Sequence, residues 1–385
     1  MSKRITQTEA EKQILNFFGS DTVFFNGEIG SIGSYDYIST GSPGLNEAIG
    51  IGGIPRGRIT QLAGKESSGK TMLSLSCIRE YLNENPENTA LFIDAEYTYD
   101  PEWAQKQGVD VSRVMVIKTN DAKAIFEGLI GTVKVNSVTK KVSKNMKGIL
   151  DYGIEGEDSR FKNLGLIVLD SIAVLNTPME IAATVGKANM APIPRFLSTE
   201  LKKLTPVLAQ ANVAFIGINQ VRVNLGQMFG DPTSSPGGKA LKHACSLMIN
   251  MAPMSGADNI IKNQSGDRVG HKVRAKIGKN KVGAPFKVAE YSIEYEKGIV
   301  NKVQEIFDLS VKYGLIERPS SQSYLIGGEK VRGAKAATDL LASKPNLVRS
   351  LEVEIFNAYT NGETTILTEE TGEEVVRNPL LGSIE

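Results

Sequence analysis

An apolar cluster of Ile14, Leu15, Phe17 and Phe18 predicts a short helix beginning near Thr8, followed by a Gly-rich stretch from Gly27 to Gly33. A helix exposing that much apolar surface wants a partner. From Arg58 the pattern changes to short apolar runs at residues 59–63, 90–94, 114–117, 166–170 and 213–219, which read as strands. Amphipathic helices lie between them, as with Met72, Leu75, Ile78 and Leu82 at helical spacing. This alternation predicts an α/β fold, a mostly parallel twisted sheet flanked by helices.

From Ser246 the chain becomes strand-rich, with runs at 247–251, 273–277 and 291–293 that suit hairpins extending the same sheet. A helix over 299–313, stopped by Gly314, opens a small α+β carboxy-terminal domain. The expected organisation is an amino-terminal arm at 1–35, a core at 36–298, a carboxy-terminal domain at 299–360 and a flexible tail at 361–385. The tail holds six glutamates against Arg377. Residues 131–147 carry five lysines and no acid, and with the mixed piece 151–162 look like an insertion. Such a run is usually a solvated surface, with a nucleic-acid contact as the alternative.

Composition narrows the reading without choosing it. The 385 residues are 41% hydrophobic and 23% charged, ordinary globular values. With 44 basic and 43 acidic residues the net charge is +1, so any nucleic-acid binding must come from locally placed charge. Two cysteines, Cys77 and Cys245, and two histidines, His243 and His271, argue against a disulfide framework or a zinc centre. Lys3 and Arg4 precede polar residues, unlike a secretory signal, and the apolar run 164–175 is broken by Asp170. A cytoplasmic protein with no membrane segment is expected.

The chemistry concentrates at Gly64-Lys65-Glu66-Ser67-Ser68-Gly69-Lys70-Thr71, which fits G-x-x-x-x-G-K-T between a strand and a helix. Small residues let backbone N–H groups turn toward phosphates, and the helix amino terminus adds partial positive charge. Lys70 should reach the β and γ phosphates of ATP, and the Thr71 hydroxyl should ligate Mg²⁺. Asp170 ends an apolar strand, the place of a carboxylate that holds the Mg²⁺ hydration shell through water. Glu96 follows the strand at 90–94, on the carboxyl edge where ligands of open sheets collect, and suits a base that activates water. Asp94 is its local competitor. Asn219-Gln220 ends another strand, and a neutral amide at that edge can sense the γ-phosphate. The long segment 221–239, rich in Gly, Asn, Ser and Pro, reads as a ligand-responsive loop.

These residues, with Ile38-Ser39-Thr40-Gly41-Ser42, Gly52-Gly53-Ile54-Pro55-Arg56-Gly57-Arg58-Ile59, Phe92-Ile93-Asp94-Ala95-Glu96, Ile218-Asn219-Gln220, Met228-Phe229-Gly230, Gly237-Gly238-Lys239-Ala240-Leu241-Lys242 and Lys279-Asn280-Lys281 through Ala284-Pro285-Phe286, carry a resemblance. The chain resembles the RecA family of DNA recombinases, bacterial and UvsX-like phage members, strongly from about Ile38 to Gly298. The resemblance implies a RecA-type P-loop NTPase core, with Glu96 as water-activating base, Gln220 as γ-phosphate sensor, and Asp100 and Trp103 as adenine contacts. Core packing is the competing explanation for Trp103. Lys279 and Lys281 match lysines that reach the ATP of a neighbouring protomer, and two cations at i and i+2 of a strand share a face.

For DNA, the resemblance points to two loops near residues 180–190 and 221–239. Arg195, Ser198, Lys202, Arg222, Gly237, Gly238 and Lys239 match backbone-contacting positions, where cations neutralise phosphates. Met190 and Leu225 look like the apolar residues that insert between base triplets. The chain departs from the family where Lys65 replaces a usual Pro, and where Lys242-His243-Ala244-Cys245-Ser246 and the Ala182-Ala183-Thr184 loop differ. A diverged phage or mobile-element member is one reading of these departures.

The expected function is therefore an ATP-dependent recombinase that forms a homo-oligomeric helical filament on single-stranded DNA and exchanges strands with double-stranded DNA. Mediator and single-strand-binding proteins would be its helpers. A ring helicase or other P-loop ATPase or kinase is the alternative, since fold alone does not set function.

Overall fold

The computed structural model describes residues 36–135, 142–155, 161, 163–183, 192–223, 233–234, 237–361, 364–367 and 374–377. The expected arm at 1–35 and its helix lie outside these residues.

A single sheet organises the core. Its strands run in the order Gly298–Val300, Val288–Glu294, Arg268–Asn280, Leu247–Pro253, Ile59–Gly64, Ala214–Gln220, Leu164–Asp170, Thr89–Asp94 and Val114–Lys118, with Ile260–Lys262 pairing off the third. From Leu247–Pro253 to Val114–Lys118 every neighbouring pair is parallel. The remaining pairs are antiparallel hairpins. This is the α/β architecture expected from the alternating pattern, with hairpins extending one side.

The parallel strands are apolar on both faces, as a sheet covered twice must be. Leu62, Phe92, Val168, Ile216 and Ile218 join one core with Leu73, Ile78 and Leu82 of the helix Lys70–Glu84. Ile59, Leu91, Ile93, Ile167, Leu169 and Phe215 face a second core with Ile125, Phe126 and Leu129 of the helix Ala122–Ile130, and with Leu197, Leu201, Leu204 and Leu208 of the helix Pro192–Ala211. Successive residues such as Ile167, Val168 and Leu169 alternate between the cores because side chains alternate across a strand.

Some boundaries differ from the expectation. The predicted helix over 299–313 is the helix Lys302–Lys312, because Gly298–Val300 pairs with Val288–Glu294 as the sheet's edge. Asn301, at φ 65°, makes the turn between them in a left-handed conformation that Asn tolerates. The lysine-rich stretch forms an antiparallel hairpin, Thr132–Val135 with Val142–Met146. One of its lysines, Lys144, pairs with Asp151, and Lys147 lies over the Tyr152 ring. Within the expected tail, Thr364–Leu367 pairs antiparallel with Glu374–Arg377.

Asp36–Glu385 form one compact unit. Inside it, Ile306, Phe307, Ile316, Tyr324, Leu341, Leu351 and Ile355 make a separate apolar cluster for the carboxy-terminal part. That part includes a three-stranded antiparallel sheet and the helices Ala334–Ala342 and Pro345–Asn361. Two carboxylates join it to the helix Pro43–Ile49. Glu47 accepts from Tyr313 at 2.9 Å and pairs with Lys312 at 3.2 Å. Glu305 accepts from Ser42 Oγ at 2.6 Å and from the Gly44 N–H at 2.9 Å.

Burial pushes Glu305 up to about 7, although Ser42 and Gly44 act in the opposite direction. An unfolded glutamate ionises near ~4.3, so the fold favours the neutral acid. Its contribution is fully present below that value and is lost as pH rises through about 7. Glu305→Gln, which cannot ionise, should remove this slope. The stability difference between variant and parent in urea melts should move by on the order of 2 kcal/mol between about pH 5 and pH 8. Parallel curves would refute the assignment.

Candidate nucleotide site and nucleic-acid interface

The parallel strands deliver their carboxyl ends to one edge, and the candidate chemistry collects there. Ile59–Gly64 runs into the phosphate loop, and the helix Lys70–Glu84 begins at its end. Gly69 caps that helix at φ 84°, where a side chain would be strained, and a Cβ there would meet Ile293 Cδ1 at 3.0 Å. Lys70 is buried, and its Nζ donates to the Lys65 carbonyl at 2.7 Å and the Gly64 carbonyl at 3.1 Å. Burial pushes the Lys70 ammonium down from its usual range, against the pull of Asp170, Glu96 and Glu66. Lys65, Glu66 and Ser67 are exposed, whereas Ser68 is buried under the loop.

Thr71 Oγ1 donates to Asp170 Oδ2 at 2.7 Å, joining the start of the helix to the end of Leu164–Asp170. Burial is the main influence on Asp170 and pushes it up to about 6; the Thr71 hydrogen bond lowers it, and nearby Glu96 raises it. A cation placed beside it would favour the ionised form. Hydroxyl and carboxylate oxygens suit a hard divalent ion such as Mg²⁺. No cluster of three or more His, Cys, Asp or Glu able to hold a metal exists among the described residues. The donor set thus fits an ion held mostly by water and phosphate rather than a protein cage.

Glu96 and Asp94, both weighed as the base, have different surroundings. Asp94 is fully buried and accepts the Thr98 and Tyr99 N–H groups at 3.0 Å each, so it shapes the turn. Glu96 is half-buried at the sheet edge and takes a hydrogen bond from Ser171 Oγ. Gln220 Nε2 lies 3.4 Å from the same Glu96 oxygen. The turn carrying Glu96 is laced to Asp170, whose carbonyl accepts the Ala95 N–H at 2.7 Å and the Glu96 N–H at 3.3 Å. The sequence reading did not single out Ser171, although it directly follows Asp170.

A cavity of about 250 Å³ opens beside the phosphate loop, lined by Ser67–Met72, Trp103, His271, Ile293 and Tyr295. Trp103 is half-buried against the core and donates its Nε1 to the Tyr295 carbonyl at 2.7 Å, so packing and pocket lining coexist. Asp100 caps the helix Pro101–Lys106, accepting from Glu102 at 2.9 Å and Trp103 at 3.2 Å. Tyr295 and His271 were missed by sequence reasoning. They come from the antiparallel hairpins, and only the sheet order brings them to the loop. Burial and Arg268 push the His271 imidazole down, favouring its neutral form.

Lys279 and Lys281 do not bond the chain's own phosphate loop. Lys279 Nζ donates to the Lys242 carbonyl and Lys281 Nζ lies 3.4 Å from the His243 carbonyl. Those carbonyls close the helix Gly238–Ala244, so the cations complement the negative end of its dipole.

Among the proposed DNA-side residues, Arg195, Ser198 and Lys202 share one face of the helix Pro192–Ala211, with Arg195 and Lys202 exposed. Gly237, at φ 96°, starts the helix Gly238–Ala244, and a Cβ on it would meet Leu241 at 2.9 Å and Leu197 at 3.4 Å. A Cβ on Gly238 would meet Pro194 at 3.5 Å, so the structure brings Gly237, Gly238 and exposed Lys239 beside the start of the Arg195 helix. Arg222 falls in a two-residue strand, Arg222–Val223, paired with Thr233–Ser234. Glu180 closes a capping box with Thr177 at the start of the first loop. Met190 and Leu225 lie outside the described residues.

A phosphate loop opening onto this strand order defines a P-loop α/β protein with a RecA-type core. The family model described as RecA N-terminal domain matches residues 5–144 and 132–300. The chain is 33% identical to the protein named Protein RecA of Leptospira meyeri over 344 residues, 89% of this chain and 80% of that protein. It is 34% identical to Protein RecA of Allochromatium vinosum over 350 residues, 90% of this chain and 89% of that one. The chain belongs to the RecA family and is a RecA-type recombinase. Proteins of this family are in general DNA-dependent ATPases that act on DNA as filaments. No helix among the described residues is long and apolar enough to cross a membrane.

The different surroundings of the two carboxylates can be measured. Asp94→Ala leaves two turn N–H groups without their acceptor and should lower stability by about 2 kcal/mol in urea melts. Unchanged stability would contradict the structural role of Asp94.

Proposed function

We propose that this chain hydrolyses ATP when bound to single-stranded DNA, forms a helical filament there, and uses that filament to pair and exchange homologous strands. The observation carrying this reading is the convergence of Thr71, Asp170, Glu96 and Gln220 on one sheet edge beside the phosphate loop. Lys70 and the loop N–H groups hold the β and γ phosphates, while Asp100, Trp103 and the adjoining cavity take the adenine. Thr71 and, through water, Asp170 would hold Mg²⁺, which supplies charge neutralisation at the phosphates. Glu96 accepts a proton from the attacking water as its oxygen bonds the γ-phosphorus and the bond to the β–γ bridging oxygen breaks. Gln220 reports the γ-phosphate to the segment that follows it.

Lys279 and Lys281 serve the nucleotide of an adjoining protomer, exchanging helix carbonyls for phosphate oxygens when that nucleotide arrives. Residues 1–35 pack on the next subunit, a head-to-tail contact that yields an open helix when rotation does not close. Arg195, Ser198, Lys202, Arg222, Gly237, Gly238 and Lys239 contact the DNA backbone, and Met190 and Leu225 separate base triplets. Backbone contacts of this kind leave sequence unread, as homologous pairing demands. Mediator and single-strand-binding proteins would load it on intracellular DNA, of a bacterial host or a phage.

A homology-dependent D-loop assay with ATP tests the function as a whole. Lys70→Ala should abolish ATP-dependent filament extension and D-loops, and unchanged strand exchange would refute the site. Glu96→Gln should bind ATP yet lose at least about 100-fold in turnover, leaving long-lived filaments by electron microscopy. Closed rings would favour a helicase. Lys279→Ala with Lys281→Ala should regain partial turnover when mixed with Lys70→Ala protein, since each supplies what the other lacks. No gain on mixing would argue against action across the interface.

A further inference from the structure

Ser171 sits at the amino-terminal position of the short 3₁₀ turn Ile172–Val174, where a serine hydroxyl commonly caps the first free N–H groups. It makes no such bond. Its side chain is fully buried, and its Oγ instead donates to Glu96 Oε1. Gln220 Nε2 approaches the same oxygen at 3.4 Å. The other Glu96 oxygen has no hydrogen-bond partner among the described residues.

Position and strand register explain why Ser171 can do this. Asp94 and Asp170 are direct partners across the parallel pair, so Glu96 and Ser171 leave neighbouring strand ends side by side. The Asp170 carbonyl then ties down the Ala95 and Glu96 N–H groups, which sets the height of the Glu96 side chain. Two consecutive residues thus orient both arms of the site: Asp170 bonds the Thr71 hydroxyl, and Ser171 bonds the Glu96 carboxylate.

We propose that Ser171 is a positioning residue for ATP hydrolysis, anchoring one oxygen of Glu96 so that the other is aimed to take the proton of the attacking water. The proposal rests on Glu96 being the base. Ser171 itself exchanges no proton in the reaction. The proton leaves water for the free Glu96 oxygen, the water oxygen bonds the γ-phosphorus, and ADP departs with the electrons of the broken P–O bond. Its effect is orientational, and a misaimed base costs rate without costing substrate affinity.

Five full-length proteins test this with single-stranded DNA present: parent, Ser171→Ala, Ser171→Cys, Glu96→Gln and the Ser171→Ala/Glu96→Gln double variant, with single-turnover assays for the slow ones. Ser171→Ala should lower kcat by roughly 10- to 100-fold, with ATP affinity within about twofold of the parent. Adding Ser171→Ala to Glu96→Gln should change the residual rate by less than about twofold, because the group it positions is gone. Ser171→Cys, close in shape but a weak donor, should resemble Ser171→Ala. Three results would overturn the proposal: parental turnover by Ser171→Ala, an equal loss in both backgrounds, or loss of ATP affinity and melting temperature in step with rate. Parental turnover by Glu96→Gln alone would remove the base and the proposal together, whereas failure in the Ser171 arms leaves Glu96 in place.

Discussion

The hydrogen bond between Thr71 and Asp170, 2.7 Å long, joins the first turn of a helix to the end of a strand that is not its sequence neighbour. The rest of the site depends on that junction. It exists only because Ala214–Gln220 stands between Ile59–Gly64 and Leu164–Asp170, while all three strands point the same way. Parallel strands send their carboxyl ends to one edge, so the phosphate loop, Asp170, Glu96 and Gln220 arrive together. An antiparallel neighbour in that place would have sent one of them to the opposite edge.

A second consequence of the sheet is the path of the chain from the phosphate loop to the helix Gly238–Ala244. Gln220 ends the strand beside the phosphate loop, and the chain passes from it to Gly237 and the helix Gly238–Ala244. The carbonyl end of that helix is held by Lys279 and Lys281, while its glycine end lies against Pro194 and Leu197. One end of this short helix is therefore held by the lysines proposed to serve ATP across an interface, and the other end carries the glycines proposed to face DNA. A two-state shift of such an element would let either ligand bias the other.

Burial sets the electrostatic character of the site. Lys70 is pushed toward neutrality and Asp170 toward protonation, so this partly buried site resists carrying isolated charges. Phosphate oxygens beside Lys70 and a cation beside Asp170 would each relieve that resistance. Binding energy is thus tied to charge pairing in a partly water-excluded place, where electrostatic interactions are stronger than in bulk water.

Much of this was legible from residues in order. The apolar runs located the strands because their side chains alternate between two cores, and the phosphate loop located itself by its glycines, Lys70 and Thr71. Asp170, Glu96 and Gln220 were readable as strand-end polar residues. The register that seats Asp94 beside Asp170 was not, so Ser171 went unnoticed and the turn-shaping bonds of Asp94 could not be foreseen. Tyr295 and His271 were equally hidden, since no local pattern tells a hairpin residue which loop it will face. By itself the sequence determined most of the strands and helices and the place of the phosphate-loop motif between a strand and a helix, because those follow from local period and spacing. Which side chains meet was decided only by strand order and register, because hydrogen bonding between distant segments sets them.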